Sequence, residues 1–167
     1  MSASPANIND GSTKPPRLVV YALAVAGVVA ATVACSVLSH DEPARAGAAG
    51  VGLGVAAGSV ALLGGAKVLA SWGFGLAAGS GGFLVIALIF GRRLLAGVSL
   101  TLSIGAIGSL LAVAVTLQRG LPWYHAALFA AIPLAVRLPM PQRSSFGQVA
   151  MALVYALAAA AVTGLVI

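Results

Sequence analysis

Two residues in the long apolar part of the sequence could support nucleophilic catalysis: Ser80, within Gly79-Ser80-Gly81, and His125. A serine nucleophile needs a base within hydrogen-bond reach and donors that stabilise the oxyanion. The sequence provides no further residue that would anchor either function. We therefore interpret Ser80 as a helix-packing serine, and we expect no catalytic residues and no enzyme activity.

The acidic residues exclude several other classes of chemistry. They are Asp10, Asp41 and Glu42, and none follows as far as Ile167. Proton relays, cation-coupled transport and carboxylate catalysis within a membrane need an ionisable acid between the helices. His40, Asp41 and Glu42 are consecutive, and three consecutive side chains rarely converge on one ion. We expect a solvated loop there and no metal site.

Two glycine patterns, which begin at Gly52 and Gly73, have the G-x-G-x-x-A spacing of a dinucleotide-binding loop. Such a loop needs a strand before it, a helix after it and an acid about 20 residues further on. Both patterns lie inside apolar runs with no acid downstream. We interpret these glycines as packing residues and expect no cofactor.

The nine lysines and arginines give a net charge of +6, but they are scattered between apolar runs. A nucleic-acid surface needs cations clustered on one face, whereas cations at the ends of apolar runs are typical of membrane proteins. We expect no nucleic-acid binding. Arg92, Arg93 and Arg137 are instead candidate contacts for lipid headgroups.

The segment after Leu121 has the features of a helix that begins at the membrane interface and has a polar end there. Trp123 and Tyr124 are typical of the membrane interface, so Tyr124 and His125 are candidates for a small polar mouth near the headgroups. Pro133 removes a backbone donor from the helix interior and predicts a kink. The alternative is a structural helix with no binding role.

The composition indicates that these residues are positioned by membrane helices. Hydrophobic residues make up 60% of the 167 residues and charged residues 7%, whereas about 25% is usual for a soluble domain. A helix needs about 20 apolar residues to cross the hydrocarbon core of a bilayer. The sequence therefore predicts an all-α polytopic bundle with very short loops, following a polar disordered tail over 1–17. The predicted spans are 18–38, 46–64, 68–90, 94–117, 121–138 and 146–167.

Three features of this topology stay open. Twelve glycines lie between Gly47 and Gly82, and each weakens a helix by about 1 kcal/mol relative to alanine. The alternative is therefore five spans, with the 46–66 segment re-entrant or interfacial. The apolar run over 18–38 exceeds the usual core of a cleaved signal, and we expect it to be retained. Four cations fall on one side and five on the other, which gives no preferred orientation.

Small residues four apart recur in every predicted span. Such spacing lets two backbones approach closely, which drives helix association in lipid. The series are Ala22, Ala26, Ala30 and Ala34; Gly50, Gly54 and Gly58; Ser71, Gly75 and Gly79; Gly97, Thr101, Gly105 and Ser109; Ala127, Ala131 and Ala135; and Ala152, Ala156, Ala160 and Gly164.

These patterns favour a non-catalytic component of a cell membrane, the inner membrane if the source is bacterial. We expect an accessory, scaffold or self-associating subunit whose partners are the bilayer and either further copies of itself or another membrane protein. The alternative is a passive or weakly selective pathway for a small neutral or anionic solute. A pathway needs a continuous polar lining, whereas a scaffold can have a dry interior.

Overall fold

A computed structural model describes residues 19, 22–23, 25–31, 33–34, 43–90, 98–119, 124–138 and 145–165. The protein is all-helical, with six helices and no strand in the described ranges, which confirms the predicted fold class. The first helix, α1, is described at residues 19, 22–23, 25–31 and 33–34. The others are α2 (Pro43–Leu63), α3 (Lys67–Phe90), α4 (Val98–Arg119), α5 (Tyr124–Ala135) and α6 (Ser145–Leu165).

The glycine-rich segment forms the central helix of the bundle. α2 is a continuous helix of 21 residues without the break that a re-entrant segment needs, and it packs against α3, α4, α5 and α6. In its most apolar stretch 72% of the residues are buried, against 17% for α3. The cost of many glycines in one helix is therefore offset by close packing on several sides.

The contacts of α2 give the direction of its neighbours. Gly47 lies against Leu84 and Gly58 against Phe74, so α3 runs antiparallel to α2. Gly50 lies against Ile104, and Gly108 against Leu53, so α4 runs parallel to it. α6 is also parallel to α2, and α5 is antiparallel. The bundle thus has an Arg45 end, where α2 begins, and a Lys67 end, where α3 begins.

The turn between α2 and α3 occupies only residues 64–66, and the predicted spans 46–64 and 68–90 leave a similarly short connection. Gly65 has a φ of 73°, a left-handed conformation that costs an L side chain about 1–2 kcal/mol. Its amide donates to the Leu62 carbonyl, and the Ala66 amide donates to the Ala61 carbonyl. This pair of bonds is a Schellman cap, which satisfies the last carbonyls of α2.

Four helices are long and apolar enough to cross a membrane: Ala44–Leu63, Lys67–Phe90, Thr101–Gln118 and Phe146–Leu165. α5 has 12 residues and so extends over about 18 Å. The tail over 1–17 lies outside the described residues, as do 39–42, 91–93, 120 and 139–144 of the predicted loops. Residues 43–45, 118–119 and 145, which were predicted to lie in loops, belong to α2, α4 and α6.

Candidate functional site

The closest helix contact lies between α2 and α3. Four glycines of α2 face α3, and we call them the glycine seam: Gly47, Gly50, Gly54 and Gly58. A Cβ on Gly54 would lie 2.5 Å from the Ala77 amide nitrogen and 2.6 Å from the Gly73 carbonyl oxygen. Real Cβ atoms do not approach backbone so closely, so the seam admits only glycine at this point.

Ser80 lies at the seam, and its hydroxyl group is directed at Gly50. The serine is 2% exposed, and its Oγ has no hydrogen-bond partner among the described residues. A Cβ on Gly50 would collide with Ser80 and would lie 2.6 Å from the Ile104 side chain. The junction of α2, α3 and α4 therefore holds an unsatisfied hydroxyl, which carries a desolvation cost.

The predicted packing glycines of α3 do not contact other helices in the described structure. Gly75 and Gly79 are exposed, and no heavy atom lies within 4 Å of the position a Cβ would take. α3 instead faces α2 through Gly73 and Ala77. The cause is the rotation of α3 about its axis, since α3 carries small residues on two faces and only the face with Gly73 and Ala77 meets the glycine seam. Gly105 is buried in α4, and Gly97 lies outside the described residues.

A second set of close contacts lies on the opposite side of α2. A Cβ on Gly52 would lie 2.9 Å from the Ala156 and Ile132 side chains. Gly52 and Gly73 begin the two G-x-G-x-x-A patterns and were interpreted above as packing residues, although neither belongs to a series of small residues four apart. Because the glycines of α2 are distributed around the helix, α2 makes close contacts on more than one side.

The other buried hydroxyl groups mostly turn back to their own helices. Thr116 donates to the Ala112 carbonyl at 2.7 Å, Thr163 to the Ala159 carbonyl at 2.9 Å, and Ser109 to the Gly105 carbonyl. A hydroxyl bonded in this way presents little polar surface to a solute. Thr101 is also buried, at 1% exposure.

Two hollows adjoin the described helices. One, of about 20 Å³, is lined mainly by apolar residues of α1, α2, α4 and α5 and includes Ser109. The other, of about 70 Å³, lies at the Lys67 end beside Gly64 and Gln118. Since a single water needs about 10–15 Å³ of such space, the smaller hollow has room for about one water molecule and the larger for a few.

α5 carries three of the residues singled out from the sequence. Tyr124 and His125 are its first two residues, and their side chains lie outside the described part of the structure, as does the predicted polar mouth. Pro133 is inside α5 and fully buried. Beyond it, Arg137 donates its amide to the Leu134 carbonyl, an i to i−3 bond that tightens the helix end.

Arginine side chains differ in their placement at the Arg45 end. Arg45 is half-buried, and its Nη1 donates to the Val136 carbonyl at 3.1 Å. This cation at the C-terminal end of α5 is favourably placed with respect to the helix dipole. Arg137 has an exposed side chain, whereas Arg92 and Arg93 lie outside the described residues.

No group of three or more His, Cys, Asp or Glu residues that could hold a metal occurs in the described ranges. All three acids and His40 fall outside those ranges. No protein-family model, curated protein or solved structure matches this chain.

Proposed function

We propose that the chain is a multi-pass membrane protein with a non-catalytic role, as a scaffold, accessory or self-associating subunit in a cell membrane. If the source is bacterial, this is the inner membrane. The observation that carries the proposal is the closed, glycine-packed core around α2. Such a core stabilises a compact bundle, the two hollows described beside it are small, and the described ranges hold no group of three or more His, Cys, Asp or Glu residues.

Membrane insertion is supported by the outer surfaces of α3 and α6. Large apolar side chains are exposed there, including Trp72 at 64%, Ile89 at 72% and Phe146 at 73%. Exposure of this apolar surface to water is unfavourable in free energy, whereas lipid chains solvate it. Together with four helices of sufficient length and hydropathy, this favours a bilayer as the solvent.

Association through G-x-x-x-G spacing is supported within the chain by the glycine seam. Gly50, Gly54 and Gly58 follow one another at intervals of four and face α3. In lipid, close backbone approach replaces the hydrophobic effect as the source of helix association. The seam is therefore the feature that holds α2 and α3 together.

A scaffold role is favoured over a solute pathway by the state of the buried polar groups. Ser109, Thr116 and Thr163 bond to carbonyls of their own helices, and the hollows hold only a few waters. A pathway needs polar groups that line a continuous route. The described interior offers separate hydroxyl groups surrounded by alanine, valine and leucine.

The proposal is tested by purification from gently solubilised membranes and by reconstitution. We expect a defined homo-oligomer, or a stoichiometric membrane-protein partner, by native mass spectrometry. Liposomes that contain the protein should retain small neutral solutes and anions as well as empty liposomes do. A lone protein that releases such solutes in proportion to its amount would replace the scaffold proposal with the solute pathway.

A further inference from the structure

The end of α5 is held weakly by its own backbone. Pro133 has no amide proton, so the Phe129 carbonyl loses its helical donor. Further on, the Val136 amide lies 3.4 Å from the Ile132 carbonyl, and the Leu138 amide bonds the Ala135 carbonyl at i−3. Longer bonds and tighter turns of this kind make a segment easier to open than a regular helix.

A side chain from another helix holds this segment in place. Arg45, in the first turn of α2, donates from Nη1 to the Val136 carbonyl, 91 residues away in sequence. A hydrogen bond from a charged group is about twice as strong as a neutral one. The end of α5 is thus attached to α2 by a bond that α5 alone could not make.

The segment that follows Pro133 covers buried alanines of α2 and α6. Val136 is fully buried in a cluster with Ala48, Ala49, Ala152 and Ala156 of α2 and α6. On its other side, Leu134 is 57% exposed and Leu138 is 48% exposed. The face with Val136 therefore closes the Arg45 end of the core, and the face with Leu134 and Leu138 is exposed on the outside of the bundle.

We propose that residues 134–138 form a lid over the core, hinged at Pro133 and latched by the bond from Arg45 to Val136. When the bond from Arg45 to Val136 is broken, the lid turns outward about Pro133. Water then reaches Val136 and the buried alanines of α2 and α6 that the lid covers. We expect the glycine seam to stay closed at Gly54, whose nearest neighbours are backbone atoms of Gly73 and Ala77 in α3.

The test is the rate at which a cysteine on the inner, buried face of the lid reacts with a small water-soluble thiol reagent. The full chain carries Cys35→Ser and Val136→Cys and is embedded in lipid nanodiscs, where both faces of the bilayer meet solvent. Val136→Cys leaves the backbone carbonyl that Arg45 bonds. We expect Arg45→Gln to raise the labelling rate about tenfold, the effect of losing one charge-assisted hydrogen bond.

Three further variants separate lid opening from a general loosening of the bundle. Arg137→Gln removes the same charge next to Val136 from an exposed side chain, and it should leave the rate unchanged. Val60→Cys reports on a valine of α2 that is 1% exposed toward the Lys67 end, and its rate should not respond to Arg45→Gln. Pro133→Ala restores a backbone donor and should reduce the response to Arg45→Gln.

An unchanged rate at position 136 in Arg45→Gln would overturn the proposal. So would an equal rise at position 60, because the whole bundle would then have loosened. Should Val136→Cys fail to fold, amide hydrogen exchange of residues 136–138 in the Arg45→Gln protein gives the same decision. Faster exchange confined to these amides supports the lid, and unchanged exchange rejects it.

Discussion

Gly54 and Gly73 each occupy the space that a side chain on the other would need. A Cβ on Gly54 would lie 2.6 Å from the Gly73 carbonyl oxygen, and a Cβ on Gly73 would lie 3.0 Å from the Gly54 carbonyl oxygen. Backbone atoms cannot move aside as a flexible side chain can. The spacing between α2 and α3 is therefore fixed by this reciprocal contact.

Gly54→Ala should lower the free energy of unfolding by about 1–3 kcal/mol, because the added methyl group separates the two backbones. The matched control is Gly75→Ala in α3, where a Cβ meets nothing within 4 Å. It should raise stability by up to about 1 kcal/mol through helix propensity. Unfolding in mixed detergent micelles measures both, and equal effects would show that the seam does not limit packing.

Ser80→Ala should raise the free energy of unfolding by about 1 kcal/mol, since it removes a buried hydroxyl that has no described partner. Thr116→Val should have the opposite sign, because it removes a hydroxyl that bonds the Ala112 carbonyl at 2.7 Å. The same unfolding assay compares them. A loss of stability in Ser80→Ala would mean that the hydroxyl is satisfied in the membrane.

Gly65→Ala should lower stability by about 1–2 kcal/mol, because alanine is strained at the φ of 73° that the turn requires. Gly65→Asn should cost less, since asparagine tolerates the left-handed region. Gly82→Ala, at an open position of α3, should be neutral or stabilising. If Gly65→Ala melted at the same temperature as the parent protein, the left-handed turn would not exist in solution.

Trp72 should report a lipid environment. In a Trp123→Phe protein, Trp72 is the remaining tryptophan, and it is 64% exposed on the outer side of α3. We expect its fluorescence to be quenched by lipids with brominated chains and to resist quenching by aqueous iodide. Strong iodide quenching with no effect of the brominated lipids would contradict the membrane placement of α3.

The number of helices could be predicted from sequence, because the length of each apolar run is a local signal. The short connection between α2 and α3 could be predicted as well, because the pair Gly64-Gly65 separates two such runs. The buried face of each helix could be predicted only in part. The small-residue series is buried in the described parts of α2, α4 and α6, as at Gly54, Gly105 and Ala156. In α3 and α5 it is exposed, as at Gly79 and Ala131.

The physical reason is that a membrane helix is apolar on every side. A soluble helix marks its inner face by polarity, but this signal is absent when lipid covers the outside. α3 offers small residues at both Gly73 and Gly75, and spacing does not distinguish the two faces. The bond from Arg45 to Val136 was also missed, because its acceptor is a backbone carbonyl, which every residue type provides.

The three-residue turn after α2 has a consequence for how the protein is made. Chains emerge from the ribosome N-terminus first and their parts assemble in that order. α3 follows α2 immediately and covers its glycine seam, whereas α6 begins only at Ser145. The α2–α3 hairpin can therefore close before the later helices have been synthesised, and it then serves as the template on which they dock.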